Sequence, residues 1–433
     1  MPAVWKISCD DAIDRLVHEP LFGTAAIESR IQYTTQDNKI HRENKVNKSF
    51  TAHPEKTRAS ATMSKPNPKD SIKSTWPLGD RSEWGLNHRI IDALNVYPIT
   101  PGKDVPVHPK TDKIPYFVQW QGHAWVLMHA FIPITIHQTW LWYTGKESLN
   151  PIAVFFLYFF SFTVVVIREV KGARKAGQDL GYLDGDIHER DGIPDVGVDK
   201  VAAALWKTTG SRIAMATYIS YNSYQSPATA LGDWHWWAWL WLQIGLYGIV
   251  LDFWFYVYHR AMHDIDWLWK YHRTHHLTKH PNTLLAAYAD HEQEFFDMVG
   301  VPFLTCMTFR ALGIPLGFYD WWICHQYIAF TEVLGHSGLR VYAIPPSTLT
   351  WLLRMLHCEL VVEDHDLHHR KGWRKSHNYG KQTRLWDRIF GTCHERIESK
   401  PENVDWDNGR TSANNFVSVQ GALAYPTTTI DVL

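Results

Sequence analysis

The chain has 433 residues, more than one typical domain, and 45% of them are apolar, including 22 tryptophans. A formal net charge of -1 points away from nucleic acid as a partner. The five cysteines (Cys9, Cys306, Cys324, Cys358, Cys393) show no paired spacing, and their odd number argues against a disulfide scaffold and against thiolate metal ligands.

Residues 1–115 are mostly polar, and the first of them lack the basic-then-apolar layout of a signal peptide. Between Asp37 and Lys73 nine Lys/Arg face four Asp/Glu amid scattered Ser, Thr, Asn and Pro, the composition of a disordered, mildly basic segment. Met63 opens a stretch that would serve as a polar N-terminus, so residues 1–62 are expected to be dispensable.

The apolar signal begins at Tyr116, and no Asp, Glu, Lys or Arg follows until after Gly145. A second run spans Asn150 to Ile167. A third, Trp234 to Tyr258, is interrupted only by Asp252 and begins with tryptophans at 234, 236, 237, 239 and 241, which suit a membrane–water interface. Roughly 20 helical residues span a bilayer core, so the first and third runs are long enough and the second is at the lower limit. Met298 to Phe330 contains Gly313-Ile-Pro315, a turn signal, and reads as a helical hairpin that dips into the bilayer and returns. The basic residues Arg168, Lys171, Arg174 and Lys175 suggest a cytosolic loop after the second run. The expected fold is an all-α integral membrane protein, with transmembrane helices and a helical hairpin beneath a histidine-rich helical cap. Residues 116–395 would form the membrane-embedded catalytic domain and 396–433 a tail. The number of passes stays open: one early run does not cross, the segment around Ile213 to Tyr224 adds a pass, or the third run is re-entrant.

Chemistry concentrates in three five-residue windows: His259-Arg-Ala-Met-His263, His272-Arg-Thr-His275-His276 and His365-Asp-Leu-His368-His369. These hold eight of the 25 histidines. Helical neighbours at i, i+3 and i+4 share a face, so each window can aim its rings at one point. Neutral imidazole is a ligand for iron, zinc or copper, and eight rings exceed what one tetrahedral zinc needs. Two metal ions fit better. Metal-bound imidazoles usually pass their other N–H to a carboxylate or carbonyl. Asp264, Asp290, Glu292, Asp364 and Asp366 are near in sequence. Asp252, two turns before His259, either orients that ring, lines a substrate channel or serves packing. His325, Glu332 and His336 make a polar stripe on an apolar helix, with His336 a candidate ninth ligand and Glu332 a channel candidate. His291 is a weaker candidate, and His123, His129, His137 and His235 read as structural.

The order HRAMH, HRTHH, hydrophobic hairpin, HDLHH, followed by Asn378-Tyr-Gly380 and Leu385-Trp-Asp-Arg-Ile-Phe-Gly391-Thr, resembles the fatty acid hydroxylase / sterol desaturase superfamily over roughly Tyr247 to Thr392. The resemblance implies a dinuclear iron site in the endoplasmic reticulum membrane, facing the cytosol, that uses dioxygen to oxidise an unactivated C–H bond of a lipid. It carries His259, His263, His272, His275, His276, His365, His368 and His369 over as ligands. Zinc is expected as a substitute in purified protein. Asp252, Glu292, Glu332, Asp366 and Asn378 are expected behind the ligands or along the channel. Electrons would come from NAD(P)H through a reductase and cytochrome b5. Family members with an extra histidine pair on the returning helix have a His where this chain has Glu332, which leaves the ligand count and substrate branch open. Hydroxylation of a fatty acid, sphingoid base or sterol is the favoured outcome and C–C desaturation the runner-up. A zinc hydrolase would need a motif such as HExxH, which the sequence lacks, and a metal transporter would need ionisable residues through several crossing helices.

Overall fold

The computed structural model describes residues 68–94 and 104–407. The stretch expected to be dispensable, residues 1–62, and the tail from residue 408 onward lie outside the described residues. The described architecture is helical, apart from one short parallel pair in which β1 (Ile114–Pro115) sets Ile114 opposite Val404 of β2 (Val404–Asp405).

A short helix, α1 (Leu86–Leu94), precedes three long ones: α2 (Gln119–Thr144), α3 (Pro151–Leu180) and α4 (Val198–Ser220). Asn150 caps α3 by accepting the Ile152 N–H at 2.8 Å, and Pro151 takes the first turn, where its missing N–H costs nothing. Helix α3 outlasts its apolar run and continues through the basic residues to Leu180, which gives it 30 residues. It stops at Gly181, whose φ of +75° is left-handed and whose Cβ would lie 2.3 Å from the Pro106 carbonyl oxygen.

Helix α4 runs back along α3. At its end the Tyr221 hydroxyl donates to Leu149 O, just before α3 begins, at 2.7 Å. The segment that includes Ile213 to Ser220 is the return helix, so α5 (Trp234–Asp264) brings its C-terminus back to the end where α3 finished. Asp233 caps α5 by accepting the His235 N–H at 3.0 Å. A helix of about two turns, α6 (Asp266–His272), follows directly.

Two described helices are long and apolar enough to cross a membrane, α3 and α5. The first apolar run, expected to be long enough as well, folds as α2 and is not among them; glutamines at 119, 121 and 138 and histidines at 123, 129 and 137 dilute it. Only 22% of the most apolar window of α3 is buried. Ile152, Phe156, Phe160 and Val164 form an exposed stripe at four-residue spacing.

The expected hairpin forms. A π turn at Phe296–Gly300 leads into α7 (Val301–Ala311), the chain reverses at Gly313 (φ +68°), and α8 (Phe318–Gly335) returns. Gln243 of α5 ties the tip down, donating to Asp320 Oδ2 at 2.9 Å and to Pro315 O at 2.5 Å. Helix α8 is the centre of the bundle, with 16 of its 18 residues buried among α2, α3, α4 and α5. A helix apolar on all sides is stable only in such a place. Its C-terminal end delivers His336 to the cap, where α9 (Val362–Lys371) and α10 (Leu385–Ile389) lie.

Candidate metal centre

The first and third histidine windows arrive on α-helices, and the second on the end of a short helix and the 3₁₀ turn after it. His259 and His263 sit on the last turns of α5, one above the other. His272 closes α6, and a 3₁₀ turn at His275–Leu277 carries His275 and His276. His365, His368 and His369 share one face of α9, whose first turn is capped by Asp364 accepting the Val361 N–H at 2.9 Å. His336 ends α8. All nine rings are buried, none more than 2% exposed.

The nine form two groups. His259, His263, His272, His276 and His368 make one, and His275, His336, His365 and His369 the other; within each group one nitrogen per ring lies within 4.8 Å of all the rest. The groups do not follow the windows. The second and third windows each send residues to both, because adjacent residues such as His275 and His276 point to different sides of a turn.

Hydrogen bonds fix several tautomers. His259 Nδ1 donates to Tyr379 O at 2.7 Å, His263 Nδ1 to Arg374 O at 2.9 Å, and His368 Nδ1 to His377 O at 2.6 Å. His369 Nδ1 donates to Thr278 O at 3.3 Å and His336 Nδ1 to Glu332 O at 3.0 Å. A carbonyl only accepts, so each of these rings holds its proton on Nδ1 and turns a bare Nε2 inward. Burial, reinforced by the neighbouring rings, holds the imidazoles of His272, His275, His276, His365, His368 and His369 well below the usual histidine range, so they are neutral.

The inward nitrogens crowd one another. Nε2 of His272 is 2.9 Å from Nε2 of both His259 and His276, His368 Nε2 is 3.1 Å from that of His276, and His365 Nε2 is 3.0 Å from that of His336. Each of these contacts includes a ring (His272, His276 or His365) whose Nδ1 has no partner, so an N–H···N hydrogen bond can join the pair, and with both nitrogens bare a cation between them takes its place. The residues therefore fit a pair of metal ions of the kind that prefers imidazole.

The carbonyls that orient the rings belong largely to the loop 374–379, and the Asn-Tyr-Gly and Leu-Trp-Asp-Arg elements explain how it is held. Asn378 has φ +51°, donates through Nδ2 to Asp364 O at 2.9 Å and accepts the His394 N–H at 2.8 Å. Asp387 of α10 accepts the N–H groups of Tyr379 and Gly380 at 2.7 and 2.8 Å. Gly380 tolerates no Cβ, which would lie 2.6 Å from Thr383 O. Burial pushes the Asp387 carboxyl up to about 6.

Several expectations about carboxylates need correction. Asp252 neither touches His259 nor lines the cavity. It accepts the N–H groups of Lys381, Gln382 and Thr383 at 2.7, 2.9 and 3.1 Å and the Thr383 hydroxyl at 2.7 Å, so it anchors the loop whose Tyr379 carbonyl orients His259. Glu292 is exposed and away from the rings; two residues on, Glu294 points inward, the phase that one helical turn imposes. His291, also exposed, pairs with Glu294 at 3.3 Å. Asp366 lies on α9 but turns from the rings to Arg190 (2.6 Å) and Arg370 (2.7 Å). Glu332 reaches Lys381 at 3.1 Å and keeps 3.9 Å from His336 Nδ1. Tyr327 holds His123 at 2.9 Å and the Trp125 carbonyl holds His129 at 2.8 Å, so both are structural.

Near the second group lies a cavity of about 130 Å³; no histidine lines it, but Glu332, whose carbonyl accepts from His336 Nδ1, does. Its apolar wall includes Phe162, Val166 and Val170 of α3 with Leu205 and Trp206 of α4. Toward the rings it reaches Glu332 and Lys381. Sequence reasoning missed Lys381, Asp387, Arg212 and Asp297; the one available signal was that Arg212 and Asp297 are charges inside otherwise apolar stretches.

Helices fit for a bilayer, two clusters of neutral imidazole and an apolar cavity at their side define a class of metal-binding, membrane-associated enzymes. The sequence model of the fatty acid hydroxylase family matches residues 244–392. The fatty acid hydroxylase vlmA of Lecanicillium sp is 46% identical over 74% of this chain and 89% of its own length. Alkylglycerol monooxygenase of Xenopus tropicalis is 27% identical over 42% of this chain and 36% of its own, and methylsterol monooxygenase erg25B of Aspergillus fumigatus 31% identical over 35% and 47%. The chain belongs to the fatty acid hydroxylase family and is an oxidoreductase that acts on lipids. No solved structure matches it.

Proposed function

We propose that this protein hydroxylates an unactivated C–H bond of a lipid (a fatty acid, sphingoid base or sterol) with dioxygen at a dinuclear iron centre. The observation that carries this reading is the double cluster of nine buried, neutral imidazoles next to an apolar cavity. His259, His263, His272, His276 and His368 would hold one iron and His275, His336, His365 and His369 the other. Zinc would occupy the same nitrogens in protein purified without iron. When bound, the iron pair supplies the reduction of dioxygen and the oxidation of the C–H bond.

The chain's own residues do the rest. Uncharged donors leave the positive charge of the centre uncompensated, which favours the binding of reduced oxygen. The loop carbonyls of Arg374, His377 and Tyr379 keep the rings in one orientation. The cavity walls exclude water and hold one substrate carbon against the centre.

Helices α3 and α5 would cross the endoplasmic reticulum membrane, with the cap in the cytosol. The exposed apolar stripe of α3 and the exposed Trp234, Trp237, Trp239 and Trp241 at the start of α5 support that placement. Electrons would come from NAD(P)H through a reductase and cytochrome b5. A second reading, C–C desaturation at the same centre, has a relative in its favour: Delta(7)-sterol-C5(6)-desaturase of Nicotiana tabacum is 26% identical over 44% of this chain.

The test is an aerobic assay of purified membranes with NADH, a donor cytochrome, labelled dioxygen and a lipid panel, read by mass spectrometry. Label in the lipid is the expected result. An unlabelled product lighter by two hydrogens would assign desaturation, and the absence of any oxygen-dependent product would overturn the reading.

A further inference from the structure

Arg212 of α4 is a buried cation that no carboxylate meets at hydrogen-bond distance, although Glu332 and Asp297 attract it electrostatically. Its residue is 3% exposed, and its Nη2 meets only the sulfur of Met298, at 3.1 Å. Its Nε has no partner, and among the described residues it forms no ion pair. It lines the cavity one turn beyond Thr208 and two beyond Leu205, so it points into the same space as the apolar wall. The Phe162 ring, 6.0 Å away, borders it on the α3 side.

The carboxylates of the cavity make their hydrogen bonds elsewhere, and none bonds the Arg212 fork. Glu332 is held by Lys381 at 3.1 Å and Glu294 by His291 at 3.3 Å. Asp297, brought to the wall by the π turn, accepts from Gln293 at 3.4 Å and leaves Oδ1 without a partner. Removing a guanidinium from water without a partner is costly, and chains retain such a group where a ligand completes it. A saturated hydrocarbon end would leave it bare. A carboxyl group matches its planar fork with two oxygens, and in protonated form also offers a donor to Asp297.

We propose that Arg212 is the head-group anchor of the cavity and binds the carboxyl group of a single-chain fatty acid. The acyl chain lies along Phe162, Val166 and Leu205 toward the mouth at Trp206. Glu332 lines the same cavity, interacts electrostatically with Arg212 and sits one turn before His336. The cavity has no histidine in its lining and approaches the second group through Glu332, whose carbonyl accepts from His336, so the carbons nearest that group would be those near the head and the methyl end would be remote from it. This assignment rests on the lipid-oxygenase reading for its meaning, but its test reads binding.

The experiment is equilibrium binding of labelled tetradecanoic acid, tetradecanol and methyl tetradecanoate to the full-length protein in lipid nanodiscs, with Arg212→Met and Arg212→Lys beside the unchanged chain. The acid is expected to bind about tenfold or more tightly than the alcohol or ester, the size conferred by one charge-assisted hydrogen bond. Arg212→Met should bring the three ligands within about twofold and Arg212→Lys should keep part of the preference. Metal content near that of the unchanged chain verifies that the variants fold. Equal binding of acid and alcohol by the unchanged chain overturns the proposal and needs no variant; so does an acid preference that survives in Arg212→Met. An acid preference lost in Arg212→Met, in a protein that oxidises no lipid, would uphold the anchor and sink the oxygenase reading.

Discussion

In the histidine cluster, the rings whose hydrogen bonds are defined are oriented by main-chain carbonyls, whereas the cavity beside it is lined by charged side chains, some with atoms left over. His259, His263, His336, His368 and His369 all use a carbonyl. Arg212, Glu294 and Asp297 each keep an unpartnered atom. In the first arrangement five rings are fixed by the main chain while His272, His275, His276 and His365 leave Nδ1 without a partner, and in the second the leftover atoms belong to charged side chains of the cavity lining. A main-chain carbonyl cannot titrate or swing away, so the cluster is rigid. Long side chains can re-pair, so the cavity adapts.

The largest expected effect falls on the cluster. His275→Ala should lower oxygen-dependent turnover by more than about a hundredfold while membrane insertion is kept, since loss of a ligand exceeds the 10–100-fold typical of the groups behind it. Turnover within tenfold of the unchanged chain would remove the second group from the chemistry.

The support behind the cluster is tested by Asp252→Ala. This change leaves the N–H groups of Lys381, Gln382 and Thr383 without their acceptor. It should destabilise the fold by about 1–3 kcal/mol and weaken metal retention, read by thermal melting and metal analysis. An unchanged melting point would show that the loop holds itself.

A pH series sharpens the contrast further. The buried rings of His272, His275, His276, His365, His368 and His369 are depressed in the folded state, so below about pH 6.5 the unfolded chain binds more protons than the folded one. The stability they contribute is present above that pH and is lost as pH falls. Metal-free protein should melt at lower temperature at pH 5 than at pH 7, with little change from 7 to 8. A flat profile from 5 to 7 would mean that the rings are not held neutral. The smallest effect is expected from deleting residues 1–62, which should leave turnover within about twofold.

The cluster was legible in sequence because imidazole ligands must recur at helical spacing, and the windows show it. His336 was found as a polar position on an apolar helix. The division into two groups was not legible, since it depends on which side of a 3₁₀ turn each ring leaves. The ring-orienting partners were sought among carboxylates near the windows, and the structure uses carbonyls, which every residue has and no sequence marks. Asp252 stood out in sequence as unusual with its task open between ring, channel and packing, and its anchoring of the loop was not legible because its partners lie 129 to 131 residues away. The hairpin announced itself through Gly313 and Pro315. The return helix α4 (Val198–Ser220) did so only in part: its second half lies in the segment around Ile213 to Tyr224 that reads as one candidate pass, and the Ala, Thr and Lys before it carry too weak an apolar signal.

The split of the second and third windows between the two groups has a consequence for assembly. His275 and His276 are neighbours in the chain, and so are His368 and His369, yet each pair is divided between the two groups. In the proposed dinuclear centre, whichever ion entered first would fix the backbone that presents the donors of the other, so the second entry would cost less ordering than the first. Loading would then be close to all-or-none, and half-filled protein a rare species even when metal is scarce.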